Sequence, residues 1–162
     1  MTDSIIILTE EPLGSIDADN IAGTYEAGDD VELVVLVPAD TKRNLLADVV
    51  DQLTLLDVPA AVREFRPKGS REVRASAEDA LAASLAALAG QSAPVTGRVV
   101  SGDAVASLVA EVTSRQARQA VVVTRPHALA DTFHQDWASQ AQNKLGLPVL
   151  HLYSGSGFIG DS

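Results

Sequence analysis

The chain alternates uninterrupted β-branched runs with stretches of helical periodicity, and that alternation leaves few folds open. SIIILTE at residues 4–10 and VELVVLV at 31–37 are apolar throughout, the pattern of parallel strands covered on both faces. PVTGRVV at 94–100 alternates more and predicts a half-exposed strand, and residues 121–124 and 149–153 supply a fourth and a fifth. Helical signals fill the intervals. Asp40 can cap a segment striped by Leu45, Leu46, Val49, Val50 and Leu53, and Ser76 with Asp79 has the form of a capping box before a helix over 80–88 that Gly90 ends. Asp103 precedes the stripe Val105, Leu108, Val109 and Val112, while Asp136 opens a helix over 137–145 that Gly146 stops ahead of Pro148. Residues 15–26 carry a fainter helical pattern, and 58–75 is open between a short strand around 61–65 and a surface loop.

Strands alternating with helices pair in parallel through right-handed crossovers, so the expected fold is a three-layer α/β/α sandwich with an open five-stranded parallel sheet. A length of 162 residues, 46% of them hydrophobic, fits one domain and is too short for a (β/α)8 barrel. We expect a single domain over 1–154 and a flexible C-terminal tail over 155–162. The chain has no cysteine, which removes disulfides, thiol nucleophiles and zinc-thiolate sites together. With no basic leader and no apolar run of membrane length, a cytoplasmic protein is expected, with no membrane partner. A net charge of −10 opposes the phosphate backbone, so nucleic acid is not an expected partner. The one basic concentration, REFRPKGSREVR at 63–74, is interrupted by Pro67 and Gly69 and diluted by Glu64 and Glu72, as in a solvated loop.

Named catalytic motifs are missing. There is no GxxxxGK[ST] phosphate loop, no GxSxG nucleophile elbow and no HExxH. GSGFIG at 155–160 satisfies GxGxxG, but only Asp161 and Ser162 follow it, where a nucleotide fingerprint needs a helix N-terminus and a later acid; it is read as a chance match. His127 and His134 fall near Asp131 and Asp136, yet no helical metal-ligand spacing joins them, and no metal is expected. Asp17, Asp19 and Asn20 imitate the opening of a calcium loop whose later glycine and glutamate are absent. Trp137 reads as an anchor of the last helix.

The order of elements, the acidic end of IIILTE, the passage VVSGDAVASLVAEV from strand into helix, and VVVTRP followed by a helix and PVLHLY resemble the universal stress protein family. The resemblance implies an adenine nucleotide alpha hydrolase-like fold, strand order 3-2-1-4-5, and frequent homodimers. In ATP-binding members the loop after strand four carries glycine, two residues, glycine, nine residues, glycine and then serine or threonine, where backbone amides meet phosphates. Carried onto this chain, the first two glycines fall on Thr124 and His127 and the final pair near Gln135 and Asp136, so all are replaced. Glu10, after Thr9, stands where the family usually has aspartate near the nucleotide; Gly102 is retained at the turn into the helix after strand three.

The expected crevice is therefore degenerate, with Thr9, Glu10, Val37, Gly102, Thr124 and His127 as its candidate residues. Two functions stay open. One is a non-enzymatic stress-response module, regulatory or interaction-mediating, that binds no ATP and needs no cofactor. The other is a nucleotide- or small-ligand-binding protein, or a weak nucleotide hydrolase, that takes ATP or AMP through non-standard contacts. The resemblance also implies that strand five lies at the sheet edge. Its sequence VLHLY has no lysine or proline to discourage pairing, so Val149, Leu150, His151, Leu152 and Tyr153 are the expected interface of a homodimer, with His151 near the axis.

Overall fold

The computed structural model describes residues 2–39, 70–124, 141–155 and 159–160. Its elements are β1 (Asp3–Thr9), α1 (Ser15–Ala22), β2 (Val31–Pro38), α2 (Ser70–Leu88), β3 (Val95–Val100), α3 (Ala104–Arg115), β4 (Gln119–Thr124), β5 (Val149–Tyr153) and β6 (Ile159–Gly160). A further helical segment occupies residues 141–145. One sheet runs in the order β3-β2-β1-β4-β5-β6. Its first five strands are parallel, in the order the resemblance implies.

Side chains alternate along each central strand between two cores. Ile5, Ile7, Leu33, Val35, Val37, Val121, Val123 and Leu152 pack with Ala18 and Ile21 of α1 and Ala77, Ala80 and Leu88 of α2. Ile6, Leu8, Val34, Leu36, Val122 and Val149 pack with Val105, Leu108 and Val112 of α3 and with Ala141 on the other face. Burial on both faces explains why β1 and β2 read as unbroken apolar runs. By contrast β3 has burial on alternate residues, as its sequence pattern predicts.

Local signals place several boundaries. The Asp103 carboxylate accepts from the Ala106 amide at 3.0 Å and starts α3, which ends at Gln116 in a left-handed conformation. Gly146 closes the 141–145 segment with φ +63°, its N–H donating to the Gln142 carbonyl at 3.1 Å. In α2 the helix begins at Ser70, so Ser76 and Asp79 lie inside it rather than capping it. The stretch 70–75 is accordingly helix; the proposed strand at 61–65, the helix after Asp40, Trp137 and His134 lie outside the described residues.

Two expectations about the C-terminus need correction. Ile159–Gly160 does not trail away: it pairs antiparallel with β5, Gly160 opposite His151 and Ile159 opposite Leu152. Strand five is thus not the sheet edge at these positions. Of its side chains, Val149, His151 and Leu152 are buried, and Leu150 and Tyr153 are partly exposed. Leu152 is fully buried among the residues facing α1 and α2, with Leu150 packed beside it. His151 is buried on the opposite face, its Nε2 2.8 Å from the Thr124 hydroxyl and its ring against Tyr153. The backbone of β5 thus finds a partner within the chain at His151 and Leu152.

The amino ends of the strands are tied by ion pairs. Arg115 bridges Glu111 at 2.6 Å and Glu32 at 2.8 Å, Arg98 meets Glu111 at 2.7 Å, and Arg118 reaches Asp29 and Asp3 at 3.3 and 3.6 Å. Ser4 adds a hydroxyl hydrogen bond to Glu32 at 2.6 Å. Among the described residues, no helix is long and apolar enough to cross a membrane.

Candidate functional site

In an open parallel sheet, ligands sit beyond the carboxyl ends of the strands, where neighbouring crossovers leave in opposite directions. Here that place is the boundary of β1 and β4, because β1 leads through α1 toward β2 while β4 lies on its other side. Strand register sets the candidates level with one another. Thr9 pairs with Val123, and since Leu8 pairs with Leu36, Val37 reaches the same height on β2.

The structure brings Thr9, Glu10, Val37, Gly102 and Thr124 to one end of the sheet but gives them different surroundings. Thr9 is buried, and its hydroxyl donates to the Glu11 carbonyl at 2.8 Å, folding the chain sharply as it leaves the strand. Glu10 follows it, half-buried. Val37 is part of the core facing α1 and α2, a packing residue. Gly102 is exposed and takes φ +79°, so the turn into α3 requires the backbone freedom of glycine, the reading that needs no ligand. Thr124 is buried and engaged with His151. By alternation Thr9 shares the face of Ile5 and Ile7, whereas Thr124 shares that of Ala120 and Val122; the two hydroxyls serve opposite faces of the sheet. His127 lies outside the described residues.

Sequence reasoning missed the residues that organise this end. Asp17, read as a chance imitation of a calcium ligand, is buried in the first turn of α1. Its Oδ2 accepts from the Gly14 amide at 2.8 Å, the reciprocal half of a capping box, and its Oδ1 accepts from the Gly155 amide at 2.9 Å. The Ser154 hydroxyl donates to Glu11 Oε2 at 3.2 Å, and its amide donates to the Thr124 carbonyl at 2.8 Å. The available signal was an acid three residues after a glycine at a helix start; nothing in the sequence connected it to residue 155.

The chemistry of this end is that of carboxylates and hydroxyls. Among the described side chains, Glu10, Glu11 and Asp17 follow β1 and Asp103 follows β3, and no group of three or more acids and histidines is arranged to hold a metal ion. A separate cavity of about 400 Å³ opens beside the start of β4, lined by Gly23, Thr24, Tyr25, Glu26, Asp29 and Arg118. Its arginine is already committed to Asp29 and Asp3. Burial raises the Tyr25 hydroxyl above its ordinary pKa, which keeps it neutral.

No family model matches the sequence, and no curated protein matches it. Solved structures do resemble the fold. A universal stress protein crystallised in complex with cAMP is 17% identical with a TM-score of 0.51, over 94% of this chain and 98% of that one. A hypothetical protein, PH0823, is 14% identical with a TM-score of 0.50, over 96% of this chain and 99% of that one. Aspartate kinase from Synechocystis is 14% identical with a TM-score of 0.51, the match covering 96% of this chain and 39% of the kinase. At such identities the likeness is one of fold, and it agrees with the universal-stress-protein architecture of the sheet.

Proposed function

We propose that the chain is a non-enzymatic, universal-stress-protein-like regulatory or interaction module whose strand-end crevice does not take ATP. The observation that supports this most is the gathering of Glu10, Glu11 and Asp17 directly after β1, beside the place a nucleotide would occupy. A carboxylate about 4 Å from a phosphate charge costs from about 1 kcal/mol in bulk water to about 4 kcal/mol near a protein surface, and a triphosphate multiplies the contacts. The replacement of the phosphate-loop glycines by Thr124, His127 and Gln135, and of the hydroxyl by Asp136, acts in the same direction. The reading includes a cytoplasmic location and a role in stress response, both carried from the family resemblance. It also includes a homodimer, whose formation through β5 would require β6 to leave His151 and Leu152.

Isothermal titration of the whole chain with ATP and magnesium ion tests the central claim. We expect no saturable heat in the low micromolar range, on the order of 10⁻⁶ M; tight saturable binding overturns the proposal. A second reading has one observation in its favour, the cAMP bound by the 17%-identical stress protein. A cyclic monophosphate carries one negative charge and suffers less from the same carboxylates. Binding of cAMP or AMP without ATP in parallel titrations would favour this ligand-binding reading.

A further inference from the structure

A strand that reaches the end of a sheet can leave in many directions, but after β5 the chain crosses its neighbours. The Ser154 amide holds the β4 end through the Thr124 carbonyl at 2.8 Å. The Ser154 hydroxyl then reaches Glu11, and the Gly155 amide reaches Asp17, so the turn extends from β5 over β4 to the loop and helix that follow β1. It therefore spans the β1/β4 boundary, the place where the topology puts a ligand. Gly155 takes φ +69°, a conformation that few side chains tolerate, and β6 returns the chain to β5 beyond it.

Burial agrees with a covered end. Thr9 and Thr124, the last residues of their strands, are 0% and 1% exposed, Thr9 turned to the Glu11 carbonyl and Thr124 to His151 on the opposite face of the sheet. The clasp is also buried: Asp17 is 1% exposed and binds two amides from segments far apart in the chain, at Gly14 and Gly155. A carboxylate with two amide donors is a strong acceptor, while a two-residue β6 ladder is a short one.

We infer that the Ser154–Gly155 turn, clasped by Asp17 and Glu11 and backed by β6, is a strap that closes the β1/β4 crevice and must release before that crevice can admit a ligand. The strap makes access to the crevice a conformational step internal to the chain. Any ligand reaching the β1 end competes with the chain's own backbone amides for the carboxylates of Asp17 and Glu11. This inference stands apart from the ATP reading, since closure by the strap would limit entry for any molecule.

The chain has no cysteine, so one engineered thiol reports access without background. In the full chain, alkylation of Thr9→Cys by iodoacetamide is compared with and without Gly155→Pro, which removes the amide donor and forbids the positive φ. Glu11→Ala, which removes the acceptor of the Ser154 hydroxyl from the other side, provides a second release. Ala93→Cys, a buried position just ahead of β3, is the control for general loosening. Release by either substitution is expected to speed labelling at Thr9→Cys about tenfold or more and leave Ala93→Cys within about twofold. An unchanged rate at Thr9→Cys in both released variants overturns the strap. Equal acceleration at both thiol positions overturns it as well, because the exposure would then come from loss of the fold.

Discussion

The amino ends of the strands are joined by Arg115 and Arg118, each shared between carboxylates on different elements, whereas the described contacts at the carboxyl ends join hydroxyls and backbone amides to carbonyls and acids. At the first end Arg115 links α3 to β2, and Arg118 links the start of β4 to the residues before β2. At the second, Asp17 and Glu11 receive Gly155 and Ser154. The difference is one of exposure as well as chemistry. Arg115 and Arg118 have side chains 38% and 45% exposed, while Asp17 is 1% exposed. Ions and water therefore reach the arginine contacts easily and the Asp17 contacts hardly at all, so equal numbers of bonds are not equal contributions.

The largest expected effect is at the buried clasp. Asp17→Ala leaves two amides without a charged acceptor and should destabilise the chain by about 2–4 kcal/mol, with little dependence on salt. Urea unfolding at low and high sodium chloride measures both quantities; a cost that disappears at high salt would erase the contrast between the ends. Next is Glu111, the buried hub of the arginine network. Its hydrogen bond from Arg98, then that from Arg115, holds its pKa below the ordinary carboxylate value. Because the folded pKa is the lower one, its stabilisation is complete above the ordinary carboxylate range and is lost as pH falls through the depressed folded value. Glu111→Gln should cost about 1–2 kcal/mol near neutrality, discounted for the exposure of both arginines, and the gap to the parent chain should close in acid. Unfolding midpoints from neutral pH downward check the sign. The smallest effect is at Arg118→Ala, expected to cost about 0.2–1 kcal/mol and to fade in high salt, since both its pairs are exposed.

What could be read beforehand divides along the same lines. Apolar runs and caps placed all five parallel strands, and Asp103 and Gly146 marked boundaries correctly, because these signals are local: a side chain bonding an amide three residues on, or a glycine at positive φ. The strand order came with the family resemblance, and the sheet bears it out. The site was legible only as a location. That Thr9 and Thr124 would stand at strand ends followed from their runs, but that Val37 packs inward and that His151 turns from a supposed interface toward Thr124 depends on which face each strand presents. The Asp17–Gly155 contact joins residues 138 positions apart, and β6 is two residues long. No periodicity encodes either.

Gly97 carries a consequence for comparing sequences of this fold. A Cβ built there would lie 2.7 Å from Leu81 Cδ1 on α2 and 2.8 Å from the Val35 carbonyl on β2, although the glycine itself has no positive φ. Leucine can rotate aside; a carbonyl fixed in the sheet cannot, so shrinking residue 81 would remove only half of the obstruction. Of its neighbours, Thr96 is exposed and free to drift, whereas Arg98 is exposed but pairs with Glu111. The middle of this strand thus holds one position closed to even a methyl group beside one, Thr96, that accepts nearly anything. Where overall identity has decayed to 17% or less, such a position is a fixed mark against which the register of distant sequences can be set.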